Sequence, residues 1–317
     1  MIKIMVNHIK ELFPRIDLKL VKLQKLRPLP ATAVRKLREK FQVEMTYNSN
    51  AIEGNSLTLK ETFWVINEGI TVKNKPLKDH LEAKDHHEAL EYLYELVQPQ
   101  NQLTISEKLI RNLHHLVMKK TDEDWAGRYR QSNVFITGTD HIPSDANIIP
   151  SAMNKFINWF RANRHRLHPI ELAAKLHHQL VFIHPFLDGN GRTARLLMNV
   201  VLMRKGYPLA VILKNDRKKY YQVLQQADKD NYQPLIRFVA QAVERSLDIY
   251  LKTLTPITQK REKFSPLTEI AAKTHFSAKY LNLLARQGKL EAHKEKRNWL
   301  TSLDAIKRYL ATRERKR

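Results

Sequence analysis

The chain contains no cysteine and only eight glycines in 317 residues. The first absence excludes disulfides, thiolate metal sites and a cysteine nucleophile. It suits a reducing compartment. No apolar run approaches the roughly 20 residues that span a bilayer. The opening stretch MIKIMVNHIKELFPR lacks the apolar h-region of a signal peptide. The expectation is a soluble, cytoplasmic protein with no membrane partner. Negative charge is also scarce: 32 Asp and Glu face 55 Lys and Arg, a net +23. The excess is densest in 261–317, where 15 basic residues meet 6 acidic ones. Such a surface suits nucleic acid or another polyanion, or is a solvated basic face. No GxxxxGK[ST] phosphate loop and no HExxH metal motif occur. The pairs His86-His87, His114-His115 and His177-His178 therefore lack the spacing of a zinc site, and His177 reads as a core histidine.

What is present is mostly helical periodicity. Apolar residues recur at i, i+3, i+4 and i+7 over 58–70, 79–97, 104–118, 151–164, 170–182, 191–204, 217–227 and 232–253. One stretch, 132–149, breaks the pattern with a β-prone run, Gly138 and His-Ile-Pro, and predicts a small hairpin. The polar segment 255–265 reads as a linker.

The most informative stretch is His184-Pro185-Phe186-Leu187-Asp188-Gly189-Asn190-Gly191-Arg192-Thr193-Ala194-Arg195. Glycines flank Asn190, so backbone amides can approach a ligand closely. The loop opens into a helix N-terminus, where free N–H groups favour anions. Arg192 and Arg195 share a helix face. Two cations there oppose the helix dipole, which argues for an anionic ligand. Asp188 is a hard oxygen donor suited to Mg²⁺. His184 is the one base nearby that works at neutral pH.

This loop resembles the Fic-family motif HPFxDGNGRxxR and matches every fixed position. The resemblance implies an all-α fold: a Fic helical core with a small β-hairpin flap, followed by a small second domain. It implies that His184 deprotonates a target hydroxyl and that Asp188 holds Mg²⁺. Gly189, Asn190 and Gly191 would cradle the α-phosphate of ATP, and Arg192 and Arg195 would bind the β- and γ-phosphates. Ser49-Asn50-Ala51-Ile52-Glu53-Gly54 resembles the family's inhibitory motif [ST]xxxE[GN]. Glu53 would then pair with Arg195, making Glu53 and Ser49 inhibitory residues. The same glutamate could serve the reverse reaction.

The hairpin resembles the Fic flap, with Gly138, His141 and Ile142 as its marks; Ser144 stands where many members carry a second proline. Tyr221 and Asp228 fall where the family contacts adenine and ribose, although relatives often carry Asn at the second position, and Asp cannot donate. Residues 266–317 resemble a winged helix-turn-helix of the excisionase type. Ser277 would cap a recognition helix presenting Lys279, Asn282 and Arg286, with Lys296 and Arg297 at the wing tip. DNA is the implied partner; such domains also dock proteins.

The expected domains are 1–105, an N-terminal helical region with the inhibitory motif; 106–254, the Fic core; 255–265, a linker; and 266–317, the winged helix with a basic tail. The expected function is a protein adenylyltransferase, moving AMP from ATP to a Ser, Thr or Tyr hydroxyl of a target protein. The alternatives are a deAMPylase or bifunctional enzyme, a Fic enzyme with another nucleotide donor, and a DNA-binding regulator whose Fic unit senses nucleotide. Fic proteins often dimerise, so a homodimer is among the assemblies the resemblance allows.

Overall fold

The computed structural model describes residues 2–98, 100, 101, 103–136, 141–255 and 262–314. Thirteen α-helices and three short strands appear among them. The helices are α1 (Ile2–Lys25), α2 (Ala31–Ile52), α3 (Leu59–Asn67), α4 (Leu77–Leu96), α5 (Glu107–Met118), α6 (Ile149–Asn163), α7 (Pro169–Ile183), α8 (Asn190–Arg204), α9 (Arg217–Ala227), α10 (Gln233–Leu254), α11 (Leu267–Ala271), α12 (Ala278–Arg286) and α13 (Leu303–Glu314). The strands are β1 (Ser265–Pro266), β2 (Ala292–Glu295) and β3 (Asn298–Thr301). The chain forms two compact units, 38–236 and 1–37 with 237–317. The N-terminal segment clusters with the C-terminal residues.

In the 38–236 unit, local chemistry sets the helix ends. Thr58 and Glu61 form a reciprocal capping box on α3, and the Ser106 hydroxyl caps α5. α8 is the central rod: Leu196, Leu197, Met198, Val200 and Leu202 are fully buried. Each contributes about 1.5–3 kcal/mol of burial. α7, α5 and α4 pack against it. The turn between α7 and α8 is the glycine-bearing loop. His184 ends α7 in the left-handed region, φ 52, and Gly189 enters α8 at φ 76.

The hairpin expected over 132–149 has its tip, including Gly138, outside the described residues. Its described legs are joined without a β-ladder. The Asn133 amide donates to the Asp145 carboxylate and accepts from the Ala146 N–H. Arg130 donates to the carbonyls of Ser132 and Ser144. Side-chain groups thus satisfy backbone positions that a ladder would otherwise pair.

In the other unit, α11 and α12 are followed by the antiparallel hairpin β2–β3, and the sheet order is β1-β3-β2. Leu267, Ile270, Leu281, Leu284, Leu290 and Ile306 are in its core. Ser277 caps α12 through the Tyr280 N–H. The α1 and α10 helices meet the hairpin through buried charges. Lys19 Nζ lies 2.6 Å from Asp248, 2.6 Å from Glu291 and 3.0 Å from Glu244, which also takes two 2.7 Å bonds from Arg15. Burial alone would raise the Glu244 carboxyl; Arg15 and Lys19 outweigh it and hold it at about 2. The desolvation cost of such a network offsets much of its mutual attraction.

Candidate active site

The site forms where the loop 184–189, the start of α8 and the end of α2 converge. α8 begins without a side-chain cap, so its first amides need an outside partner. Glu53 stands at that place. A Cβ added to Gly191 would lie 2.4 Å from Glu53 Oε1, so only glycine admits the carboxylate there. Gly54, at φ 107, lets the chain turn away immediately after Glu53.

Arg195 is buried with four acceptors around its guanidinium. Nε donates to Ser49 Oγ at 2.9 Å. Nη2 donates to the Ser49 carbonyl at 2.8 Å and to Glu53 Oε1 at 2.7 Å. Nη1 reaches the Tyr220 hydroxyl at 3.5 Å. Tyr220 in turn lies 2.8 Å from His177 Nε2. Burial alone would lower the Arg195 pKa; Glu53 outweighs it. Arg217 donates to the Ile52 carbonyl at 2.7 Å, securing the end of α2.

Arg192 is also buried, between Glu82 Oε1 at 3.2 Å and Asp188 Oδ2 at 3.3 Å. Its Nε has no hydrogen-bond partner, and Nη1 is the atom that faces Glu82. Glu82 Oε2 accepts from Asn55 at 2.9 Å. Both arginines are therefore linked by carboxylates to the segment carrying Glu53. Glu82 was not evident from the sequence because α4 places it there.

Asp188 is 53% exposed on its side chain. Burial would raise its carboxyl, but Arg192, the Gly189 amide and Lys78 hold it below the usual range. No group of three His, Cys, Asp or Glu able to hold a metal occurs among the described residues. One ionised, accessible carboxylate still fits Mg²⁺, which commonly takes one or two carboxylates and completes its shell with waters and substrate phosphates.

His184 is the imidazole of the loop. Burial, reinforced by Arg130 and His141, pushes it down to about 4 against the pull of the Val181 carbonyl and Glu53. It is a neutral base at physiological pH. Arg130 fixes the loop from behind: Nε donates to the His184 carbonyl at 2.9 Å and its backbone N–H to the Pro185 carbonyl at 3.0 Å.

Several expected residues take other positions. The Asn190 side chain does not line the cradle: Oδ1 accepts from the Phe186 N–H at 3.0 Å and Nδ2 donates to the Phe186 carbonyl at 2.9 Å. It staples the loop. Tyr221 is half-buried with Arg217 4.9 Å over its ring, while Tyr220, one residue earlier, carries the contact to Arg195. Asp228 Oδ1 sits 2.8 Å from His178 Nε2. In the flap, His141 lies 2.7 Å from the Phe182 carbonyl, and Ile142 is exposed.

His114, His177 and His184 are held at about 4, about 3 and about 4, below an ordinary 6.5, chiefly by burial. The unfolded chain therefore binds more protons than the folded one between those values and 6.5. Stability should fall as pH drops through that window, by about 1.4 kcal/mol per pH unit for each histidine at full effect. Urea unfolding at a series of pH values checks this; a midpoint unchanged from neutral pH down to about 4.5 contradicts it.

The Fic/DOC family model matches residues 104–202. The protein adenylyltransferase Fic of Nematostella vectensis is 39% identical over 265 residues, 82% of this chain and 60% of that protein. A Fic domain containing signaling protein from Bacteroides thetaiotaomicron is 32% identical with a TM-score of 0.70, over 75% of this chain and 97% of that one. Fic-1 (aa134–508) from C. elegans is 30% identical with a TM-score of 0.67, over 75% and 72% of the two chains. The chain belongs to the Fic family. It spans about half the length of the curated relatives it matches.

Proposed function

We propose that the protein transfers AMP from ATP to a Ser, Thr or Tyr hydroxyl of a target protein, and that Glu53 holds this activity down. One observation carries the reading: a carboxylate, Glu53, occupies an anion cradle made of an uncapped helix start and a buried arginine. In the active state the phosphates of ATP replace it. The target hydroxyl oxygen bonds to the α-phosphorus as His184 takes its proton. The bond from the α-phosphorus to the oxygen bridging to the β-phosphate breaks, and pyrophosphate leaves toward Arg192 and Arg195. Asp188 would hold Mg²⁺, which supplies charge neutralisation of the phosphates when bound. Positioning and electrostatics supply most of the catalysis in such transfers. The relatives named as protein adenylyltransferases support the donor and the reaction type. The test is the purified Glu53→Gly protein with ATP labelled at the α- or the γ-phosphate. Label is expected on protein from the α position alone; retention of γ-label, or of neither, overturns the reading.

The exposed cations of the C-terminal unit favour a second, compatible reading, a winged helix that binds duplex DNA. Lys279 and Arg286 stand exposed on α12 beside half-buried Asn282, and Lys296 and Arg297 are exposed at the hairpin tip. Phosphate contacts from the tip would position α12. Replacing Lys296 and Arg297 by alanine in the full chain should weaken duplex binding and reduce the log–log salt slope by about two. Fluorescence anisotropy measures this; no binding by the parent chain at low salt sinks it.

A further inference from the structure

We propose that His114 is a positioning residue for the phosphate loop, fixing the backbone at Asp188 and so setting where that carboxylate stands. The inference rests on the AMP-transfer reading above. His114 is on α5 and buried, and it meets the loop from the protein side; its effect passes through other residues.

Its two ring nitrogens have neighbours that dictate one tautomer. Nδ1 lies 2.8 Å from the Gly127 N–H, which can only donate, so Nδ1 carries no proton. Nε2 lies 2.9 Å from the Asp188 carbonyl, which can only accept, so Nε2 carries the proton and donates. The ring also lies flat on Phe186, with centroids 3.7 Å apart and planes 5° from parallel. A Cβ added to Gly189 would stand 3.2 Å from His114 Cδ2. One imidazole therefore grips Phe186, Asp188 and Gly189 from the protein side.

The consequence falls on the Asp188 carboxylate. With its carbonyl tied to His114, its Oδ1 accepting from the Gly189 N–H at 2.6 Å and its Oδ2 3.3 Å from Arg192, the side chain is left on the exposed side of the loop. Nothing else among the described hydrogen bonds holds the Asp188 carbonyl. Residues that orient a metal-binding group typically change metal affinity or activity by about 10- to 100-fold when removed.

The test uses the full chain in the Glu53→Gly background. His114→Phe keeps the flat ring on Phe186 and removes both hydrogen bonds. His114→Gln restores a donor toward the Asp188 carbonyl. The Phe variant should raise the Mg²⁺ concentration for half-maximal AMP transfer by about 10-fold and lower kcat by about 10- to 100-fold. The Gln variant should recover most of both. Calorimetric titration should show ATP binding without Mg²⁺ little changed in either variant, and Mg²⁺-dependent binding weakened in the Phe variant. Nitrogen NMR of the parent should show His114 protonated at Nε2 alone. The proposal is overturned if the Phe variant keeps the parent's Mg²⁺ dependence, if the Gln variant is as impaired as the Phe variant, or if Nδ1 carries the proton. A Glu53→Gly parent that transfers no AMP overturns the functional reading instead, and the NMR tautomer still decides the hydrogen-bond geometry.

Discussion

Replacing Glu53 with glycine is expected to raise incorporation of AMP from α-labelled ATP by about 100-fold over the unaltered chain, the size of effect attached to one preorganised donor on a developing anion. Arg195 gives its shortest bond to Glu53 Oε1, and the same oxygen fills the space above Gly191. On the proposed reading, a phosphate at the start of α8 meets like charge until that carboxylate leaves. Glycine removes the obstruction without adding bulk. It also leaves Arg195 with Ser49 and Tyr220 alone. Breaking a fully buried pair costs about 3–5 kcal/mol. The cost here is smaller, because the Glu53 side chain is 31% exposed and the neutral acceptors remain. The ligand-free variant should therefore unfold at a lower temperature than the parent, and ATP should restore more stability to it. An unchanged rate of incorporation would show that Glu53 is not a brake.

The second large effect is loss. His184→Ala in the Glu53→Gly background is expected to lower AMP transfer by about 10³-fold, within the range for removing a general base. His184 is suited to the role because it is neutral at physiological pH and belongs to the loop that also carries Asp188. Alanine in the left-handed region, φ 52, adds strain of its own. His184→Asn controls for this, since Asn tolerates that region and supplies no comparable base. Both variants should bind ATP with affinity near that of the parent, measured by calorimetry. If His184→Asn transfers AMP at the parent's rate, His184 is not the base. Among the groups near the loop, no other buried imidazole belongs to the loop itself: His114 and His177 are tied to Asp188 and Tyr220.

Contiguous signals were legible from the sequence. The loop 184–195 compresses a base, a carboxylate, two glycines and two arginines into twelve residues, so its chemistry shows without a fold. The helices of the central region also agree: periodicity marks 217–227, and α9 is Arg217–Ala227. What the sequence concealed depends on tertiary placement. Glu82 reads as one more charge on a helix until α4 sets it against Arg192. His114 reads as half of a histidine pair until α5 brings it under Asp188. The choice between Tyr220 and Tyr221 turns on which face of α9 is buried, a rotation of one residue. The Asn190 amide likewise shows its local partner only in the fold: Oδ1 accepts from the Phe186 N–H and Nδ2 donates to the Phe186 carbonyl. The clustering of 1–37 with 237–317 is likewise a property of the folded chain.

The most direct measurement is intact mass of the Glu53→Gly protein after incubation with ATP and Mg²⁺, followed by peptide mapping. The account predicts a covalent adduct of one AMP on a serine, threonine or tyrosine, absent when His184 is also replaced by alanine. A phosphate adduct, or no covalent adduct on the protein or on any protein of a lysate treated with it, would contradict it.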